Sequence, residues 1–179
     1  MAITASDILL KLAITTGSAG DTATQPDPNA SLGKYVSQTQ MATSLHGLFD
    51  KITGAENAAD DVEYRCVFVH NNHATLTAEA VSVYLSSEVG GGAVAAIGAD
   101  TTAASAKGAS SAQALTIANE STAPSGVSFS SPTTDGTGIS LGDIPAGSVK
   151  AFWVRRTAAH TGAVDADGVT FGIAFDTAA

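Results

Sequence analysis

The chain has 179 residues, of which only 14% are charged and 6% aromatic, and its formal net charge is -9. This length suits one domain, or one domain with an arm. The single cysteine excludes a disulfide framework and a cysteine-rich zinc fold, and the eight basic residues are too thinly scattered to favour binding to nucleic acid.

The first 60 residues show weak periodicity, and we predict for them an extended N-terminal arm with one short helix. Residues 15–31 are rich in Gly, Ala, Thr, Asp and Pro, which favours extended and turn geometry. Apolar residues at spacings of three and four predict the helix over residues 41–52, and Gly54 is expected to end it. Residues 6–14 fit a short helix and a strand equally well.

Targeting and membrane-spanning segments are not expected. The apolar stretch at residues 8–14 is interrupted by Lys11 and preceded by Asp7, whereas a signal peptide begins with a basic region. No stretch approaches the roughly 20 apolar residues of a membrane span. We therefore expect synthesis in the cytosol, no membrane partner and a reduced thiol at Cys66.

From residue 62 onward the hydrophobic period changes to two, which predicts β-strands. Tyr64, Cys66 and Phe68 share one face of the first strand. Further strands are predicted near residues 81–86, 113–119, 127–130, 139–141, 148–157 and 169–176. Short strands separated by turn residues predict an all-β fold, an immunoglobulin-like or jelly-roll antiparallel β-sandwich over residues 61–179.

Two groups of residues contain side chains of the types that bind metal ions. His70, His73 and His160 with Cys66 do not have a zinc-ligand spacing, and Cys66 alternates with core residues. Asp165 and Asp167 resemble the start of a calcium loop, but the residues that follow lack the required oxygen ligand and glycine. We expect a buried thiol and a turn, and no metal.

No catalytic motif is recognisable, so we expect neither an enzyme nor a cofactor. Trp153, the lone tryptophan, is a weak candidate for stacking on a carbohydrate, with core packing as the alternative. Arg155 and Arg156 are adjacent on a predicted strand and therefore point to opposite faces. We expect one to pair with a carboxylate of its own chain and the other to reach a partner.

Several segments together resemble a family of structural proteins of tailed bacteriophages. They are SLGKY (31–35), LFDKITGAEN (48–57), DVEYRCVFVHN (61–71), IANE (117–120), APSGVSF (123–129), LGDIPAG (141–147) and WVRRT (153–157). The resemblance implies a non-enzymatic virion component made in the bacterial cytoplasm. The favoured position is the capsid surface, where a cement or decoration protein bridges major capsid proteins.

The expected partners are the major capsid protein and other copies of this chain, arranged as a trimer by closed symmetry. Residues 1–36 and the predicted helix are the candidate contact segments, and deletion of residues 1–36 is expected to leave a folded sandwich. The candidate contact residues are Ile8, Leu9, Leu12, Leu32, Tyr35, Leu48, Phe49, Arg155 and Arg156. The alternatives are a tail, neck or baseplate component, a carbohydrate-binding module for host attachment and, last, a hydrolase.

Overall fold

The computed structural model describes residues 2–177, which form two antiparallel β-sheets packed face to face. The predicted all-β sandwich is therefore confirmed. Strands of the larger, six-stranded sheet are β1 (Ile8–Ile14), β2 (Tyr35–Gln40), β3 (Val62–Asn71), β5 (Val94–Ala99), β6 (Ser105–Ala106) and β8 (Ser148–Thr157). Strands of the smaller, three-stranded sheet are β4 (Ala78–Glu88), β7 (Ile139–Ile144) and β9 (Val169–Thr177).

The chain crosses repeatedly between the two sheets. The larger sheet has the order β2-β1-β3-β8-β5, with β6 pairing to another part of β8, and the smaller sheet has the order β7-β4-β9. Strands β3 and β8 pair along almost their full length, from Val62 opposite Thr157 to His70 opposite Val149. This long central pair fixes the positions of the side chains described below.

The core between the sheets comes from the alternation that the sequence predicts. Val67 and Val69 of β3 and Phe152 and Val154 of β8 project from the larger sheet, and β4 supplies buried valines and a leucine from the smaller one. The Phe152 ring meets the Phe171 ring of β9 edge to face, with centroids 5.6 Å apart. Such burial is the main force that holds two sheets together.

The opposite face of the larger sheet is also buried, under a layer of loops. Cys66, Phe68 and Trp153 lie there without exposure to solvent, covered by Leu32 and by residues of the 113–129 segment. Strands were predicted at 113–119 and 127–130, but these residues form only isolated bridges at Thr116 and Ser130. Their apolar side chains cover the sheet face instead of extending a ladder, so those two predictions are wrong.

Gly33 allows the two covering loops to approach each other. Its φ of +91° is favourable only for glycine, and a Cβ there would lie 1.9 Å from the carbonyl oxygen of Leu115. The neighbouring Lys34 amide donates to that same carbonyl at 3.1 Å. A side chain at position 33 would separate the loops from each other and from the sheet.

The N-terminal arm and its helix need correction. Strands β1 and β2 belong to the larger sheet, and residues 15–34 connect them through bends, a turn and a 3-10 helix at Pro28–Ala30. Ser31 secures this connection, because its hydroxyl donates to the Cys66 carbonyl at 2.6 Å and accepts from the Ala13 amide at 2.8 Å. Deletion of residues 1–36 would remove β1, so it would not leave an intact sandwich.

The short helix is displaced from its predicted position. Residues 41–53 form bends, one turn and irregular backbone, and Gly47 folds back so closely that a Cβ there would lie 2.2 Å from the Ala42 carbonyl oxygen. The helix, α1, is Gly54–Ala58, and Thr53 caps it. The Thr53 hydroxyl accepts from the Glu56 amide, and the Glu56 carboxylate accepts from the Thr53 amide. Gly54 thus begins the helix rather than ending one.

Candidate binding groove

A groove of about 870 Å³ opens between two loops, residues 41–54 and residues 159–171. We call it the loop groove. Leu45, Leu48 and Phe49 line it from the first loop, Arg156 from the end of β8, and Val164 from the second loop. A groove of this size with mixed apolar and polar walls is large enough to take a peptide segment or a small molecule.

The wall formed by the first loop is held by Arg156. Strand register places Arg156 opposite Glu63, and its Nε donates to the Glu63 carboxylate at 2.8 Å. Its terminal nitrogens also reach Glu63 and both the carbonyl and the carboxylate of Asp50. One guanidinium therefore ties the first loop to the two central strands.

Phe49 lies against two guanidinium groups. The Cζ atom of Arg156 is 4.7 Å from the centroid of the Phe49 ring, and that of Arg65 is 5.1 Å from it. Cation–π contact of this kind is strengthened when the cation is removed from water. Phe49 is consequently a fixed part of the groove floor.

Arg65 completes the charged network beneath the groove and is fully buried. It donates to the Glu120 carboxylate at 2.5 Å and to Asn29 at 3.3 Å, and it lies 3.5 Å from Glu63. Burial raises the pKa of Glu63 above its usual value, because loss of hydration outweighs the attraction of Arg156 and Arg65. The network links β3, β8 and both covering loops.

The other wall depends on Asp167. Its carboxylate accepts from the Ala93 amide at 2.7 Å and packs against Gly92, where a Cβ would collide with it. This links the second loop to the glycine-rich turn after β4. Within residues 2–177, no three His, Cys, Asp or Glu side chains are grouped so that they could hold a metal ion.

Exposed large apolar side chains occur close to this end of the molecule. In the described part of the chain they are Leu45, 58% exposed, Val94, 51% exposed, and Val89, 39% exposed. Leu45 lines the loop groove, and Val94 lines a smaller hollow beside it that Phe49 and Arg156 also contact. Sequence reasoning missed all three, because exposure of an apolar residue in a turn has no periodic signal.

The predicted contact residues separate into three groups. Phe49, Leu48 and Arg156 meet at the loop groove, although Leu48 also belongs to the buried core. Leu12 and Tyr35 are buried within the chain, so their assignment as contact residues is wrong. The half-buried remainder lies elsewhere: Ile8 on the inter-sheet core, Leu9 on β1, Leu32 on the covered face, and Arg155 over the Phe129 ring.

Trp153 is a core residue, which removes the basis for the carbohydrate-stacking alternative. Its side chain is fully buried, and its indole nitrogen donates to the Asp100 carboxylate at 2.7 Å. The same carboxylate accepts from the amides of Leu115 and Thr102 at 2.9 and 2.7 Å.

Burial shifts the pKa of two further side chains in this region. Lys150 donates to the carbonyl of Asp100, and burial lowers the pKa of Lys150. Burial also raises the pKa of the Cys66 thiol well above its usual value, as expected for an inert core thiol.

His70 is a buried titratable group on the covered face of the larger sheet. It is 2% exposed, and neither ring nitrogen has a hydrogen-bond partner within the described residues. Burial and the positive charges of Lys11 and Lys107 lower its pKa to about 4, with Asp21 opposing them. His73, by contrast, accepts two backbone amides in a turn, and His160 is exposed.

His70 should make the protein sensitive to mild acid. Between pH 6.5 and 4 the unfolded chain protonates this histidine and the native chain does not, so stability falls with pH. Between pH 7 and 4.5, the free energy of unfolding should fall by about 2–3 kcal/mol less in His70→Gln than in the unchanged protein. Urea unfolding at both pH values measures this. His160→Gln is the control, and equal pH dependence in the unchanged protein and His70→Gln would contradict the expectation.

The fold and the groove define an all-β sandwich protein with a loop-walled surface groove. No family model, curated protein or solved structure matches this chain. Among the helices of the described residues, none has the length and apolar character needed to cross a membrane.

Proposed function

We propose that this protein is a non-enzymatic structural component of a tailed-bacteriophage virion. It binds the outer surface of the head as a cement or decoration protein and bridges neighbouring major capsid proteins. The sequence resemblance supplies the virion context. The observation that carries a binding role is the loop groove, with exposed Leu45 and Val94 at the same end of the sandwich.

The groove is suited to adhesion because its first wall is held in place before binding. Arg156 joins Asp50 and Glu63, and Phe49 packs against two guanidinium groups. A pre-organised surface loses little conformational freedom when a partner docks. Exposed apolar side chains near such a groove contribute the hydrophobic centre that protein interfaces commonly have.

The partner that fits is a basic, partly apolar loop of the major capsid protein. The chain carries a net charge of -9, so a basic partner segment is favoured by electrostatic complementarity. Each copy needs only modest affinity, because contacts repeated over a lattice add through avidity. A trimer at three-fold positions of the shell stays a prediction from symmetry.

Decoration of empty heads tests this proposal. Leu45→Asp should weaken binding to purified heads lacking the protein by about ten-fold or more, because it places a charge in the apolar part of the groove. Ser111→Asp adds the same charge at an exposed position outside the groove and should leave binding unchanged. Co-sedimentation with heads over a concentration series gives both affinities.

Two outcomes would overturn the proposal. If Leu45→Asp still occupies heads fully, the groove is not the binding surface. A few copies per virion instead of hundreds would place the protein in the tail, neck or baseplate. Cryo-electron microscopy of the virion supplies that count and position.

A further inference from the structure

Strand β9 forms an edge of the smaller sheet that is open on one side. Among the strands of residues 2–177, it pairs with β4 alone. Within residues 2–177, no backbone–backbone hydrogen bond outside the strand ladders involves residues 169–177. One side of a nine-residue strand is therefore available to pair with another chain.

The other sheet edges are covered or interrupted. The outer edge of β2 is bonded by the Asp21 amide and by the Ala23 carbonyl, and β5 exchanges two backbone hydrogen bonds with Ser130. Strand β7 carries a bulge next to Gly142, whose φ is +72°. Natural proteins use such devices to prevent pairing between sheet edges. Only β9 lacks them among the strands of the described residues.

Strand β9 is also regular and nearly uncharged. The register shifts in its pairing with β4 place the extra residues on β4, between Glu79 and Ser82 and between Leu85 and Ser87. The strand contains no Lys, Arg or Pro, and Asp176 is its one charged residue. Its inward residues, Val169, Phe171, Ile173 and Phe175, pack against the core and are only half-buried.

The sequence of β9 is close to self-complementary about Ile173. An antiparallel copy centred on that residue places Phe171 opposite Phe175 and Thr170 opposite Asp176. The remaining pairs are Ile173 with Ile173, Gly172 with Ala174, and Val169 with Thr177. Aromatic residues thus meet aromatic residues, small residues meet small ones, and no like charges face each other.

We propose that two copies of this chain associate through antiparallel pairing of β9 with β9 across a two-fold axis at Ile173. The two small sheets then join into one continuous six-stranded sheet, and both inward rows of apolar side chains extend across the axis. A two-fold contact is closed, so this contact by itself joins two copies and no more. The first residues of β9, Val169 to Phe171, also line the loop groove, but the pairing uses the open backbone edge of the strand and does not depend on capsid binding.

Introducing charges at position 170 and reversing the charge at position 176 tests the pairing, because both residues are exposed on the outer face of the sheet. Sedimentation velocity of the full chain should show a reversible dimer. Thr170→Asp puts like charges opposite each other at two symmetric positions and should raise the dimer dissociation constant about ten-fold. Thr170→Lys should lower it, and Thr170→Asp with Asp176→Lys should restore it. Ser111→Asp controls for net charge.

A cysteine test reports on the axis itself. Oxidation of Ile173→Cys should give a disulfide-linked dimer, because the axis brings residue 173 beside its own copy. Thr170→Cys alone should not cross-link, and Cys66 is buried.

Three results would overturn the inference: a monomer at all concentrations, a dimer insensitive to every change at Thr170, or a trimer. Since no capsid is present, failure here leaves the capsid-binding proposal to its own test.

Discussion

Replacement of Asp100 by alanine should lower the free energy of unfolding by about 4 kcal/mol. The Asp100 carboxylate is buried and accepts from Trp153 Nε1, the Leu115 amide and the Thr102 amide. Alanine leaves all three donors without a partner in a region closed to water, and each unsatisfied buried donor costs about 1–3 kcal/mol. Urea unfolding at neutral pH measures the loss.

Asp100→Asn is the matched control for shape. It keeps one acceptor oxygen and should lose about half as much stability. In a double-mutant cycle, Trp153→Phe and Asp100→Ala should not be additive, because both remove the same hydrogen bond. A loss below about 1 kcal/mol for Asp100→Ala would mean that the loop layer is not held by this carboxylate.

Replacement of Arg156 by alanine should destabilise the protein by about 3 kcal/mol and release the first wall of the loop groove. The change leaves the buried Glu63 carboxylate without its main partner and removes both contacts to Asp50. Phe49 also loses one of its two guanidinium neighbours. Urea unfolding and hydrogen exchange of amides 44–53 measure the two consequences.

Two other variants sharpen this expectation. Arg156→Lys should recover less than half of the loss, because an ammonium group cannot hold Glu63 and Asp50 in one planar fork. Arg155→Ala should have a smaller effect and leave the loop protected, because Arg155 contacts Phe129 on the opposite face. Unchanged exchange of residues 44–53 in Arg156→Ala would show that other contacts hold the wall.

Strands with clear alternation were predicted from the sequence, because burial of one or both faces dictates a period of two. This applies to β3, β4, β8 and β9, and to the division of Trp153 and Phe152 between two faces of one strand. The same logic failed at residues 113–119 and 127–130. Apolar side chains in a covering loop also alternate when they contact a flat sheet, although they form no ladder.

The helix prediction failed for a related reason. Residues between 41 and 52 have helical spacing, but Leu48 packs into the core from a turn that tightens at Gly47. The spacing of apolar residues predicts which side chains are buried more reliably than it predicts the backbone conformation at those residues.

What the sequence alone determined is the all-β class, the central strands and the low content of charged residues. Those properties depend on local periodicity and on composition. Only the tertiary structure decided that Arg156 meets Glu63 and Asp50, that two distant loops form a groove, and that β9 is left as an open edge. Each of these depends on strand order and register, which arise from contacts between residues far apart in the chain.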